Sequence, residues 1–236
     1  IKEVQAIVNL ANKLNFPLVP SGGRTGLSGG ALAKDKELVV SFDRMNKILD
    51  FNKSDALVTC QPGVVTGVLK DFAKLKGLFY PVDFASVGSS QVGGNAATNA
   101  GGVNVLRYGM TRDWIGGIKV VTGTGELLDL NRGLKKNATG FDFRHLFIGS
   151  EGTLGLIVEL TVELTRPPKH LNVMLMGLKN IEHTTQALAL FKEKLDLTAF
   201  EFFSDTAMRK VLEGKSLRNP FDHIYPFYVL VEFESY

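Results

Sequence analysis

Twenty-three of the 25 glycines in this 236-residue chain lie between Gly22 and Gly155, many of them in tight clusters. The first cluster is Ser21-Gly22-Gly23-Arg24-Thr25-Gly26-Leu27-Ser28-Gly29-Gly30. Gly93-Gly94-Asn95, Gly101-Gly102 and Gly149-Ser150-Glu151-Gly152-Thr153-Leu154-Gly155 follow. Glycine costs folding entropy, so such clusters need a reason in the backbone. Bare N–H donors in a row bind anions, phosphate oxygens above all. Several loops of this kind in one domain point to an extended phosphate-bearing ligand, and a dinucleotide suits them better than a single phosphate. One glycine-rich turn is as readily structural. Three further clusters carrying Ser, Thr or Asn hydrogen-bonding groups weigh against that reading.

The nicotinamide fingerprint is not the explanation. It needs a strand, Gly-x-Gly-x-x-Gly and then a helix. Here the spacing of Gly22-Gly23-Arg24-Thr25-Gly26 is wrong, and residues 30–42 read as a turn and a strand. No Gly-x-x-x-x-Gly-Lys-Ser/Thr of a nucleotide-triphosphate loop occurs, since Gly214-Lys215-Ser216 has Arg209 where the first glycine would stand. Net charge is +3, and no Lys/Arg run exceeds two residues, which argues against nucleic acid. No apolar stretch approaches a membrane span. Cys60, the lone cysteine, sits in an apolar run and reads as core.

The elements that must hold these loops follow from periodicity. Val4, Ile7, Val8, Ala11 and Leu14 mark a first helix, and residues 16–20 form a strand running into the first glycine loop. Residues 37–42, 48–51 and 56–60 read as strands, and 64–76 as an amphipathic helix closed by Gly77. Residues 115–130 form a hairpin turning at Gly123-Thr124-Gly125, and 154–164 a long strand. Arg166-Pro167-Pro168-Lys169 is the best boundary. Beyond it the order is strand (172–177), helix (181–194), strand (197–203), helix (205–213) with Asp205 as N-cap, and strand (227–233). The class is α+β, with domains at 1–166 and 167–236. The second domain reads as incomplete, because it stops after a strong strand, and the abrupt start at Ile1 suggests a missing N-terminus.

With Pro20-Ser21-Gly22-Gly23-Arg24-Thr25-Gly26-Leu27-Ser28-Gly29-Gly30, the chain resembles the pyrophosphate loop of the vanillyl-alcohol-oxidase-type (PCMH) FAD-binding domain. Pro81, Asp83, Ser86, Gly88, Ser89, Ser90, Gly93, Gly94, Asn95, Thr98, Asn99, Gly101, Gly102, Tyr108 and Gly109 are similar to its second flavin segment, and residues 146–155 to its third. The resemblance is closest to FAD-linked D-2-hydroxyacid dehydrogenases, the group acting on D-2-hydroxyglutarate, D-lactate or glycolate. Residues 197–203 and 226–232 resemble the substrate domain of members acting on D-2-hydroxyglutarate.

The resemblance implies oxidation of a small D-2-hydroxy acid to the 2-oxo acid. It places the pyrophosphate on the N–H groups of residues 22–26 with the Ser21, Thr25 and Ser28 hydroxyls. Arg24 would assist, or would face outward as a surface arginine. Gly93, Gly94, Asn95, Thr98, Asn99, Gly101 and Gly102 would approach the pyrophosphate and isoalloxazine, and Glu151, Gly152, Gly155 and Ile157 would run along the ring or the ribose and adenine. Tyr108 reads equally as ring packing or core. FAD is expected to be non-covalent, because Arg24 stands where covalent members carry histidine, and a guanidinium has no lone pair with which to attack. The family's substrate arginine, metal-binding histidines and catalytic histidine fall in a C-terminal region beyond this chain. None of His145, His170, His183 and His223 is assigned as the base, and the chain alone is expected to turn over no substrate. The implied partners are the hydroxy acid, a flavoprotein or quinone electron acceptor and a second copy in a homodimer. The implied compartment is the cytoplasm, or the mitochondrion in a eukaryote. A same-fold oxidase acting on another substrate and a non-catalytic FAD-binding subunit are the alternatives.

Overall fold

A computed structural model describes residues 1–130, 134 and 136–235. They fall into two compact units: Ile1–Gly102 with Met110–Pro167, and Val103–Gly109 with Pro168–Tyr236.

The first unit opens with α1 (Lys2–Leu14), which buries Val4, Val8 and Ala11. Its stripe is set by helical spacing. It ends where Asn15 turns left-handed (φ 56°) and the Phe16 N–H reaches back to Ala11 O at 2.9 Å. β1 (Leu18–Ser21) follows and pairs in parallel with β2 (Leu38–Ser41), Ser21 opposite Ser41. β3 (Ile48–Asn52) and β4 (Leu57–Cys60) belong to a different sheet. So three strands that are neighbours in sequence are divided between two sheets.

α2 (Thr66–Leu75) and α3 (Val92–Ala97) come next, each entered through an extended residue, Val65 and Gln91. A 3₁₀ turn (Thr111–Trp114) leads into β5 (Ile115–Thr122) and β6 (Leu127–Leu130) after α4 (Val105–Tyr108), which belongs to the second unit. α5 (Arg144–Phe147) precedes β7 (Gly155–Glu163). The large sheet has the order β3-β4-β7-β5-β6, antiparallel throughout. β7 is its centre, so it shows little alternation: Leu156, Ile157, Val158, Leu160 and Val162 are all buried. Val58, Cys60, Leu69, Val92, Ile118 and Val120 join Leu160 and Val162 in one apolar cluster.

The second unit has β8 (Leu171–Leu178), α6 (Glu182–Lys194), β9 (Asp196–Ser204), α7 (Asp205–Lys215) and β10 (Phe227–Glu234). Its antiparallel sheet has the order β8-β10-β9. Leu197, Val229 and Val231 form its core, and Tyr228 is fully buried against Phe203 and Phe221. α4 packs on β9 within this unit, and Arg107 pairs with Glu234 at 2.8 Å. The cap of α7 corrects the sequence reading. Ser204, extended at φ −87°, accepts the Ala207 N–H at 3.4 Å. Asp205 is the first helical residue and pairs with Arg209 at 2.9 Å. The shorter hydroxyl side chain sits where the backbone is still non-helical.

Candidate cofactor site

Within the first unit a cavity of about 530 Å³ opens between the three glycine-rich segments. Seventeen of the sequence-selected residues line it: Gly22, Gly23, Arg24, Thr25, Gly26, Leu27 and Ser28 from the first, then Ser86, Gly93, Gly94, Asn95, Thr98 and Gly101, and finally Glu151, Gly152, Gly155 and Ile157.

The first loop leaves the end of β1 and turns at Arg24, which is left-handed (φ 56°). A Cβ on Gly23 would run into the Ser89 carbonyl oxygen, so glycine is what lets the first loop lie against the second segment. Among the described residues, no backbone N–H of residues 22–28 has an acceptor within the protein. A row of free donors beside a cavity is the chemistry of an anion site.

The second segment begins at α3. A Cβ on Gly94 would meet nothing within 4 Å, and Gly94 lines the cavity. Here glycine leaves room for something other than protein. The third segment is tied to this one by its backbone: Gly149 N–H donates to Ala96 O at 3.0 Å and Glu151 N–H to Ala97 O at 2.8 Å. It makes this approach through three left-handed residues, Gly149, Glu151 and Gly152. Glu151 in that conformation is strained, which marks a backbone held for a purpose.

Two amides are turned inward instead of toward a ligand. Asn95 Nδ2 donates to Thr66 Oγ1 at 2.7 Å, in a buried network with Ser90 Oγ at 2.8 Å from the same hydroxyl. Asn99, left-handed at φ 47°, does not line the cavity. It accepts the Arg112 N–H at 3.0 Å and directs Nδ2 at Met110 Sδ. Other sequence-selected residues also lie off the wall. Ser21 is buried at the strand end, and Asp83 pairs with Lys70 at 2.6 Å. Gly102 is pressed on the Asp83 backbone. Pro81, Gly88, Ser89 and Ser90 are not among the lining residues. Tyr108 and Gly109 belong to the second unit.

Phe42, Pro62, Phe84 and Gln91, which the sequence reading passed over, line the cavity, as do Phe147 and Leu156 of the third segment. Phe42, Pro62, Phe84, Phe147 and Leu156 give it apolar walls. The spacing of aromatic residues carries no mark of a ligand, so only Gln91, an amide two residues before Gly93-Gly94, bore a legible signal. Gln91 is 6% exposed, and its Oε1 has no hydrogen-bond partner among the described residues.

Residues 1–131 match the model of the FAD binding domain, and residues 167–236 match FAD linked oxidases, C-terminal domain. The chain belongs to the FAD-binding domain family. It is 58% identical over 235 residues to D-2-hydroxyglutarate dehydrogenase of Stutzerimonas stutzeri (strain A1501), covering 100% of this chain and 51% of that protein. It is 54% identical to the enzyme of the same name from Xanthomonas citri pv. viticola, covering 100% of this chain and 50% of that one. The chain thus spans about half the length of the curated relatives it matches. Among solved structures, alkyldihydroxyacetonephosphate synthase superposes with a TM-score of 0.80 at 24% identity, over 99% of this chain and 45% of that one. That likeness is one of fold: a PCMH-type FAD-binding domain followed by α+β structure of the FAD-linked oxidase C-terminal kind.

The cavity suits the cofactor of this family on its own chemistry. Its volume is within the ordinary range for cofactor sites, about 300–1,000 Å³. It offers main-chain donors for a pyrophosphate and apolar walls for a flat ring.

Proposed function

We propose that this chain is the FAD-binding part of a dehydrogenase that oxidises a small D-2-hydroxy acid, D-2-hydroxyglutarate first among them, to the 2-oxo acid. The observation that carries the proposal is the cavity, which is lined by the loop of residues 22–28 with its free N–H donors, by Gly94 with open space beside it and by aromatic side chains. The relatives of 54% and 58% identity supply the substrate class.

Bound FAD supplies a two-electron acceptor for the hydrogen on C2 of the acid. The residues present do the holding. The loop 22–28 presents its N–H groups to the pyrophosphate, and Gly94 allows the cofactor to approach the α3 backbone. Phe42, Phe84, Phe147 and Leu156 exclude water from the ring. As C2 loses its hydride and the C=O bond forms, the hydroxyl proton must pass to a base. We place that base, with the substrate's carboxylate partner, in the half of the relatives that this chain does not span. The electron acceptor in this reading would be a flavoprotein or quinone. A homodimer, with a cytoplasmic or mitochondrial setting, completes this reading. In the chain itself no described helix is long and apolar enough to cross a membrane.

The cofactor is held without a covalent bond. Arg24 occupies the loop position where an attacking histidine would stand, and the Cys60 thiol is fully buried and pushed up to about 12 by desolvation. Titration of the purified chain with FAD should give saturable quenching of flavin fluorescence, with nicotinamide dinucleotide ignored. Acid precipitation should leave the yellow colour in the supernatant. With the full-length parent, D-2-hydroxyglutarate should bleach the flavin faster than D-lactate or glycolate. A folded chain that takes nicotinamide dinucleotide and not FAD refutes the reading.

A further inference from the structure

Asp43 follows β2 and lines no part of the cavity, yet it touches two segments that do. Its Oδ1 accepts a hydrogen bond from Gln91 Nε2 at 2.7 Å, and its Oδ2 lies 3.6 Å from Arg24 Nη1. Arg24 is in the first glycine loop, left-handed, and Nη1 also donates to Ser21 Oγ at 3.3 Å. Gln91 directly precedes α3. An ionised carboxylate can only accept, so the amide is oriented by its partner: Nε2 toward Asp43 and Oε1 away. That Oε1 stands 3.4 Å from where a Cβ of Gly22 would be. The Gln91 hydrogen bond, with Ser41 and the Arg24 charge behind it, holds the Asp43 carboxyl below its ordinary value, so it is ionised at neutral pH.

A left-handed conformation is unfavourable for a residue with a side chain. The two contacts of the Arg24 guanidinium, to Ser21 and Asp43, hold the loop in that conformation. They also place a negative charge on the arginine that a phosphate would otherwise use. We infer that Asp43 is a positioning residue for the cofactor cavity, keying the first glycine loop to the start of α3 through Arg24 and Gln91, and that Arg24 anchors the loop instead of binding phosphate. This rests on the FAD reading above.

Charge alone predicts the opposite sign. If Arg24 bound the pyrophosphate, removing Asp43 would free a cation, delete a nearby anion and tighten FAD binding. The test is the Kd of FAD for the chain, by fluorescence quenching at low and high salt, with circular dichroism to show that each variant is folded. Asp43→Ala should weaken binding about tenfold, as expected when a buried amide loses its fixed partner. Asp43→Asn keeps an acceptor for Gln91 Nε2 and should weaken it no more than about threefold. Arg24→Asn tolerates positive φ but loses both guanidinium contacts, so it should weaken binding about tenfold while keeping the parent's salt dependence. Arg24→Val does not tolerate it and should weaken binding about tenfold or more. Tighter binding by Asp43→Ala overturns the inference, as does an Arg24→Asn variant that keeps the parent's affinity or loses its salt dependence. Failure of the unsubstituted chain to bind FAD is a separate result. It removes the flavin reading itself, and this assignment with it.

Discussion

Gly94 and Gly23 are the same residue type in adjoining segments, and the structure gives them different tasks. Gly23 packs on the Ser89 backbone, so any side chain there disturbs the loop before a ligand is involved. Gly94 faces open space from within α3. Replacing a helical glycine with alanine stabilises a helix by about 0.5–1 kcal/mol. Gly94→Ala should therefore keep or raise the denaturant midpoint while lowering FAD affinity, two measurements of opposite direction on one sample. Cys60 supplies a pH dependence at the same scale. The unfolded thiol ionises near its ordinary 9.0, whereas burial raises the folded one to about 12. Between these values the unfolded state holds fewer protons, so stability should fall as pH rises, by up to about 1.4 kcal/mol per pH unit. Urea melts at pH 8, 9 and 10 should show this decline, and Cys60→Ala should flatten it.

α2 and α3 depend on each other through one hydroxyl. Thr66 Oγ1, fully buried at the start of α2, bonds Ser90 Oγ at 2.8 Å and the Ser90 carbonyl at 3.0 Å, and accepts from Asn95 Nδ2 at 2.7 Å. Thr66→Val keeps the shape and removes the oxygen, leaving the Asn95 amide without its acceptor inside the protein. That should cost about 1–3 kcal/mol in equilibrium unfolding. The double substitution Thr66→Val with Asn95→Leu should recover part of the loss, since no donor is then stranded. The element order was legible in the sequence because helical and strand periods differ. The short helices α3 and α4 were not. Four to six residues are too few to show a period, and α3 carries two glycines that argue locally against a helix. Packing around Val92 and Ala96, both fully buried, overrides that local preference.

The whole molecule should respond to its cofactor by mass action. A ligand that binds only the folded state at a hundred times its Kd adds about 2.7 kcal/mol. Thermal melts with FAD should shift upward with concentration, and those with nicotinamide dinucleotide should not shift at all. Gly94→Ala should diminish the shift without lowering the ligand-free melting temperature.

The glycine clusters, the double proline and the apolar periods are properties of the chain itself. They were enough for the α+β class, the three loop segments and the dinucleotide expectation, because each depends on what a few neighbouring residues permit. Which of those residues face the cavity is a different matter. Asn95 and Asn99 carry the amides that a ligand would use, yet the fold turns one toward Thr66 and the other toward Arg112 and Met110. Phe42, Pro62 and Phe84 reach the cavity from places that no spacing marks. Asp43 acts on both glycine segments only because β2 pairs with β1 and brings its end beside Arg24 and Gln91. Spacing governs what a residue can do to its near neighbours in the chain, whereas the direction of a side chain depends on partners 29 and 48 residues away, which only the folded backbone brings together.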